Sequence, residues 1–342
     1  MKNSKVLLTG ITGFLGSHTA VKLLNEGYEV IGTLRSENRI PSIKKIIAEH
    51  TANIDKLSFA VADLDQDDVW RELSKGVDFI QHVASPFPST LPKNEDELIR
   101  PAKNGILNIL RAATHNHVKR VVMTSSLSTI AYGNDEWDED KVFNENDWTN
   151  IDSLKDITPY YKSKTIAERV AWDYMKSNLS DLELVTVCPG AILGPVLEED
   201  FGNSANIVIA LLNKSYPALP KIGFDLVDVR SVADLLIKAM EHPKAAGNRY
   251  IAASAYLTLK DVSAILQECY PERKIPSREF PNFITRIIAE FRPELKPVLL
   301  EMKRRKTDLT KAIKELNWDP ISGRNAVIAC AESVIKLKIV KQ

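Results

Sequence analysis

The chain has 342 residues, 44% of them hydrophobic and 26% charged, a balance that supplies apolar residues enough for a large core. Lys plus Arg and Asp plus Glu number 45 each, so the formal net charge is zero and argues against broad binding to nucleic acid or an anionic membrane. Three widely spaced cysteines, Cys188, Cys269 and Cys330, have no metal-ligand spacing, and no run approaches the roughly 18 apolar residues of a membrane span.

The apolar run Val6-Leu7-Leu8 predicts a first strand at 5–9, reached too soon for a signal peptide. With the sparse cysteines, that start predicts a cytoplasmic protein with three buried thiols. The strand runs directly into Thr9-Gly10-Ile11-Thr12-Gly13-Phe14-Leu15-Gly16. There a helix is predicted near 13–26, with Leu15, Thr19 and Leu23 on one face. A strand turning through three glycines into a helix is the layout of a dinucleotide phosphate site. Gly10 permits the tight turn, Gly13 lets backbone approach a pyrophosphate, and Gly16 lets the helix lie close on the strand. The N–H groups of the first helical turn then face the phosphate. Thr9, Gly10, Thr12, Gly13, Phe14, Leu15 and Gly16 are assigned to the cofactor on this basis.

A second strand at 28–34 completes a βαβ unit. The residue closing that strand meets the adenosine ribose, where an acid selects NAD and an arginine accommodates a 2′-phosphate. Here it is Arg35, with Arg39 and Lys44 beyond, although Glu37 could reach a ribose hydroxyl. The fork of Arg35 suits phosphate, so NADP(H) is predicted, with NAD(H) as the alternative. Asp63-Leu64 ends a third strand at 57–62, where the aspartate either accepts from the adenine amino group or caps the next helix.

Further strands are predicted at 77–83, 119–125 and 183–188, and helices near 40–50, 66–75, 94–116 and 158–178. Continuous apolar runs such as Val121-Val122-Met123 suit strands buried on both faces. The alternation predicts an α/β fold, a Rossmann-type doubly wound parallel sheet. After Pro189 the alternation weakens, prolines recur and amphipathic helices dominate. The predicted division is an NADP-binding domain at 1–190 with a return segment at about 225–245. A smaller, mostly helical substrate lobe takes 191–224 and 246–342. The cluster Lys303-Arg304-Arg305-Lys306 is expected to be a solvated helix face.

Tyr160 and Lys164 are four apart at the start of a predicted helix and share one face. Thr124-Ser125-Ser126 closes the fifth strand, at the edge where α/β sheets bind ligands. Carbonyl reduction needs a proton on the oxygen as hydride reaches the carbon, and tyrosine, with a pKa of about 10, is a poor acid near pH 7. Lowering it to 7 needs about 4 kcal/mol, and a lysine charge about 4 Å away supplies roughly that at an effective dielectric near 20. Ser126 would hold the substrate oxygen.

These residues resemble the extended short-chain dehydrogenase/reductases over almost the whole chain. The features carrying the resemblance are the glycine motif, Ser126 and Tyr160-x-x-x-Lys164. Three segments are similar to the dihydroflavonol 4-reductase-like branch, which includes cinnamoyl-CoA reductases and yeast methylglyoxal and aldehyde reductases. They are His82-Val83-Ala84-Ser85-Pro86-Phe87, Arg100-Pro101-Ala102-Lys103-Asn104-Gly105, and Tyr160 through Glu168 with Ala171-Trp172 beyond. The resemblance implies NADPH-dependent reduction of an aldehyde or ketone. It implies that Tyr160 is the general acid, Lys164 its tuner and ribose ligand, and Ser126 the carbonyl anchor. It also places Val83, Ala84 and Ser85 beside the cofactor; Pro189, after the sixth strand, is expected there too. One departure is Ala102, which stands where many short-chain enzymes carry a catalytic asparagine.

Ser85, Phe87, Leu127, Tyr132 and Ile192 are expected to wall a largely apolar substrate pocket, with Phe201 or Phe224 nearby. A small or aromatic carbonyl compound suits it better than a nucleotide sugar, although Arg230 could meet a diphosphate. The rival readings are an NAD-dependent nucleotide-sugar epimerase using the same Tyr–Lys apparatus and a non-catalytic NADP-sensing regulator. No metal is expected, and both monomer and homodimer fit.

Overall fold

In the first strand, β1 (Lys5–Thr9), Val6 and Leu8 enter one apolar cluster and Leu7 enters another, and all three are fully buried. Side chains of a strand alternate between faces, so an unbroken apolar run requires cover on both sides. The computed structural model provides that cover. It describes residues 4–340 apart from 86–93, 135, 137, 154, 199–200, 216 and 292–295.

After β1 come α1 (Phe14–Asn25), β2 (Glu29–Leu34), α2 (Ile40–Ala48), β3 (Leu57–Val61), α3 (Asp67–Leu73) and β4 (Phe79–His82). Then follow α4 (Asp96–His115), β5 (Arg120–Thr124), a two-residue β6 (Val142–Phe143), α5 (Pro159–Ser177) and β7 (Glu183–Pro189). The chain continues through β8 (Ala191–Leu193), α6 (Asn206–Leu212), β9 (Gly223–Asp228), α7 (Val229–Glu241), β10 (Arg249–Ala252), β11 (Ala255–Thr258) and α8 (Leu259–Cys269). Last come α9 (Asn282–Phe291), α10 (Lys296–Leu300), β12 (Lys306–Thr307), α11 (Thr310–Leu316) and α12 (Gly323–Lys336).

Seven strands form one parallel sheet in the order β10-β7-β5-β4-β1-β2-β3. On one face α1, α2, α7 and α11 pack on Val122, Val185 and Val187; on the other α3, α4 and α5 pack on Val121, Met123 and Leu184. Strand order reverses between β1 and β4, which opens a crevice at their carboxyl ends. Arg120, buried at the start of β5, donates from Nη1 to the carbonyls of Ala239, Met240 and His242, and so closes the C-terminus of α7.

The lobe is built on the three-stranded sheet β11-β9-β8, with α6, α8 and α12 enclosing Leu193, Val208, Leu266, Val327 and Val334. Within the range 246–342, β10 joins the main sheet and Trp318 packs in its core, its indole Nε1–H donating to Ser231 O. The basic run departs from its expectation. Arg305 is only 5% exposed and pairs with the buried Asp156, because β12 draws this segment against β6.

Candidate active site

The crevice begins at the turn after β1. Gly10 has φ +75°, and a Cβ there would lie 2.9 Å from Ala84 Cα; a Cβ on Gly16 would lie 2.0 Å from Gly10 O. Both positions exclude any other residue on steric grounds. A Cβ on Gly13 would meet only Gly10 O, at 3.5 Å, so this residue has open space outward. No side chain caps α1. An open backbone turn leading into an uncapped helix N-terminus fits a pyrophosphate. Leu15 is buried, which leaves its backbone for that role. Thr9 Oγ1 accepts from Ala84 N (2.9 Å) and bonds His82 Nδ1 (3.1 Å), tying the ends of β1 and β4 together. Burial, aided by the Lys164 charge, pulls His82 down to about 3, so its ring is neutral. Phe14 packs edge-on to His18, whose Nε2–H donates to Pro195 O (2.8 Å) and so links α1 to the lobe.

Arg35 lies exposed at the end of β2. Arg39 contacts both carboxylate oxygens of Glu198 at 2.8 Å. Asp63 is exposed and its carboxylate accepts from Asp65 N (3.1 Å). Leu64 holds Asn108 Nδ2 on its carbonyl (2.9 Å) and lines a small cavity with His82, Ala84, Ser85, Thr124 and Lys164. Val83 is partly buried against the main core, and Pro189 closes β7.

Helix α5 starts where it does because Thr158 Oγ1 accepts from Tyr161 N (3.1 Å) and Pro159 occupies the first turn. Tyr160 thus falls in the first turn and Lys164 one turn later. Ser126 caps the short turn after β5, its Oγ accepting from Ser128 N (3.1 Å) and Ser128 Oγ (2.9 Å). Ser126 also hydrogen-bonds the Tyr160 phenol. Burial nonetheless pushes that phenol up to about 12. Lys164, buried, donates to Thr124 O (3.3 Å), and burial pulls it down to about 8 against the opposing charge of Glu168. The expected lowering of the phenol by Lys164 is therefore not present in this arrangement. Burial raises the phenol, and the group opposing burial is Ser126.

Among the expected pocket residues, Leu127 is buried in an apolar cluster with Ile130, Phe143 and Ile251, where it serves as core. Tyr132 stacks on Tyr161 with ring centroids 4.3 Å apart, and its hydroxyl donates to Glu301 (3.0 Å). Ile192 packs on the main core from β8. Phe87 lies outside the described residues. Arg230 pairs with Asp228 (2.7 Å).

Sequence reasoning missed the buried charges around this site. Glu301 accepts from both Tyr132 and Tyr161, and Arg305 stacks on Tyr132 at 4.0 Å. Glu168 accepts from Ser125 Oγ (2.6 Å), Thr186 Oγ1 (2.7 Å) and Arg249 Nε (2.8 Å). The available signal was helical spacing, since Glu168 continues the face of Tyr160 and Lys164 by one more turn. Nothing local marked Arg249, Glu301 or Arg305.

Residues 6–253 match the family described as "NAD dependent epimerase/dehydratase family". The chain is 35% identical over 279 residues to tetraketide alpha-pyrone reductase 1 of Arabidopsis thaliana, covering 80% of this chain and 83% of that protein. It is 31% identical over 305 residues to dihydroflavonol 4-reductase of Zea mays, covering 87% and 81%. Among solved structures, yeast methylglyoxal/isovaleraldehyde reductase Gre2 complexed with NADPH superposes with a TM-score of 0.82 at 25% identity, over 98% of this chain and 99% of that one.

Proposed function

Because this chain belongs to the NAD dependent epimerase/dehydratase family, we propose that it is an NADPH-dependent reductase of an aldehyde or ketone, with Tyr160 as general acid. The relatives named above are reductases, and the yeast neighbour was crystallised with NADPH. The observation that carries the reading is the Tyr160 phenol held by Ser126, with Lys164 one turn along the same helix, beside the strand-order reversal.

The backbone of the turn from Gly10 to Gly16 would hold the pyrophosphate, Arg35 the 2′-phosphate, and Lys164 the nicotinamide ribose. When bound, NADPH supplies the hydride and leaves a positively charged ring. Tyr160 starts reduction as a neutral phenol, the form that burial favours, and gives its proton to the carbonyl oxygen. Ser126 turns its single proton toward the oxygen that gains charge. Bringing the phenol from about 12 to near 7 asks for about 7 kcal/mol. A lysine charge brought to about 4 Å would contribute about 4 kcal/mol, so even then Lys164 would supply only part of the acidity. Residues 1–190 with 225–245 form the cofactor half in this reading, extended by β10.

The test is a panel of aldehydes and ketones scored by loss of NADPH absorbance, with NADH in parallel. Turnover with NADPH that disappears in Tyr160→Phe supports the reading. Inactivity across the panel, with tightly retained NAD and no net nicotinamide consumption, would favour epimerisation.

A further inference from the structure

Glu168 has no exposure to solvent, yet it is ionised. Burial pushes its carboxyl up, but the charge and bonds of Arg249 and the bond from Ser125 outweigh that and hold it below the usual carboxylate value. Its partners come from separate elements. Ser125 Oγ arrives from the end of β5, Thr186 Oγ1 from β7, and Arg249 Nε and Nη2 from β10 at 2.8 and 3.2 Å. Arg249 in turn bonds Glu145 O, Asp147 O and Thr129 Oγ1, and lies 3.8 Å over the Trp148 ring. Two features tie this knot to the chemistry. Ser125 immediately precedes Ser126, and Glu168 stands one helical turn past Lys164, which stands one turn past Tyr160.

We propose that Glu168, braced by Arg249, is a positioning residue for the reduction: it sets the strand end that carries Ser126 and supplies the negative charge that keeps Lys164 protonated. The inference rests on the roles given to Tyr160, Lys164 and Ser126 above. The charged and titratable groups facing Lys164 are Glu168 on its own helix, Cys188 on β7 and His82 on β4. His82 is neutral and burial holds Cys188 as a thiol at about 12, so Glu168 is the one fixed negative charge among them. Arg249 acts on the Glu168 carboxylate from its far side, through contacts made in β10 rather than α5. A buried ion pair with a purely structural duty would also hold β10 against α5. Only the positioning role requires its charge to reach the reacting pair.

The test compares Glu168→Gln, Glu168→Asp and Tyr160→Phe in the whole protein, by the pH profile of kcat/KM for NADPH-dependent reduction, NADPH binding and thermal melting. Removing a nearby negative charge lowers the pKa of both Lys164 and Tyr160. In Glu168→Gln the alkaline limb should therefore move down by about 1 pH unit, with kcat reduced roughly tenfold to a hundredfold. Glu168→Asp keeps the charge, so its alkaline limb should stay in place while kcat falls. If Glu168→Gln does not fold, the Glu168→Gln/Arg249→Met double variant avoids an unpaired buried cation; because its two lost charges partly cancel, its limb should move down by less than about 1 pH unit, and an unmoved limb with Glu168→Asp equal to wild type in kcat would overturn the proposal. A lowered melting point with an unmoved limb would overturn the proposal and leave a structural brace. Tyr160→Phe with undiminished turnover would instead overturn the functional reading beneath it.

Discussion

Arg39 and Glu198 join the nucleotide half of the molecule to the lobe: one guanidinium nitrogen lies 2.8 Å from both carboxylate oxygens. Arg39 stands four residues beyond Arg35, at the end of the crevice where the second strand closes. The pair is partly exposed, so its effect on stability is small, about 1 kcal/mol or less. In the proposed reading its larger effect is on charge beside the 2′-phosphate. Glu198→Gln releases Arg39 from its carboxylate partner and should tighten NADPH by a few-fold while leaving NADH unchanged. Fluorescence titration of both nucleotides checks this; equal weakening of the two would mean that the pair instead holds the cleft together.

Arg35→Ser should weaken NADPH by about tenfold to a hundredfold, the worth of one charged hydrogen bond to phosphate. NADH binding should not change. Parallel Kd measurements decide it, and equal losses for both nucleotides would remove Arg35 from the 2′-phosphate.

If Tyr160 is the proposed general acid, Tyr160→Phe should lower kcat by about a thousandfold or more. NADPH affinity should stay within about twofold. Ser126→Ala removes both the donor that opposes burial of the phenol and the donor to the developing charge, for a loss of about a hundredfold or more in kcat. Pre-steady-state hydride transfer monitored by NADPH absorbance reads both.

Asp225 offers a pH test of stability. Burial raises its carboxyl to about 6 against the bond from Thr307 and the charge of Arg304. A folded pKa above the unfolded one stabilises the protein below pH 3.8, and that contribution is lost as pH rises through 6. The linkage is worth about 3 kcal/mol at most. Asp225→Asn should therefore raise the melting temperature more at pH 8 than at pH 5. A gain of equal size at both pH values would show that Asp225 titrates normally.

Gly16→Ala places a Cβ 2.0 Å from Gly10 O, against backbone that is held by the turn it forms. The helix must then lift from β1, at a cost of about 3 kcal/mol or more. Urea unfolding measures the loss. NADPH binding should fall with it if the same turn holds the pyrophosphate as proposed.

Local order was legible in the sequence wherever its cause was local. β1 spans the predicted 5–9, and α5 begins one residue from its predicted start, because Thr158 caps it and Pro159 opens it. The strands β8, β9, β10 and β11 gave weaker signals. They run three to six residues, and in β9 the apolar residues are broken by Asp225 and Asp228. Leu127 is expected from the sequence among the pocket walls. Its neighbours, Ile130, Phe143 and Ile251, come from three parts of the chain and make it core.

The amino-acid order alone determined the glycine turn and the Tyr160–Lys164 spacing, since both depend on steric limits and helical periodicity within a few residues. Folding decided the electrostatics. Glu168 meets Arg249 across 81 residues, Arg305 meets Asp156 across 149, and the Tyr160 phenol is held near 12 by the depth at which packing places it. Desolvation and ion pairing are properties of what surrounds a group, and those surroundings exist only once distant segments have come together.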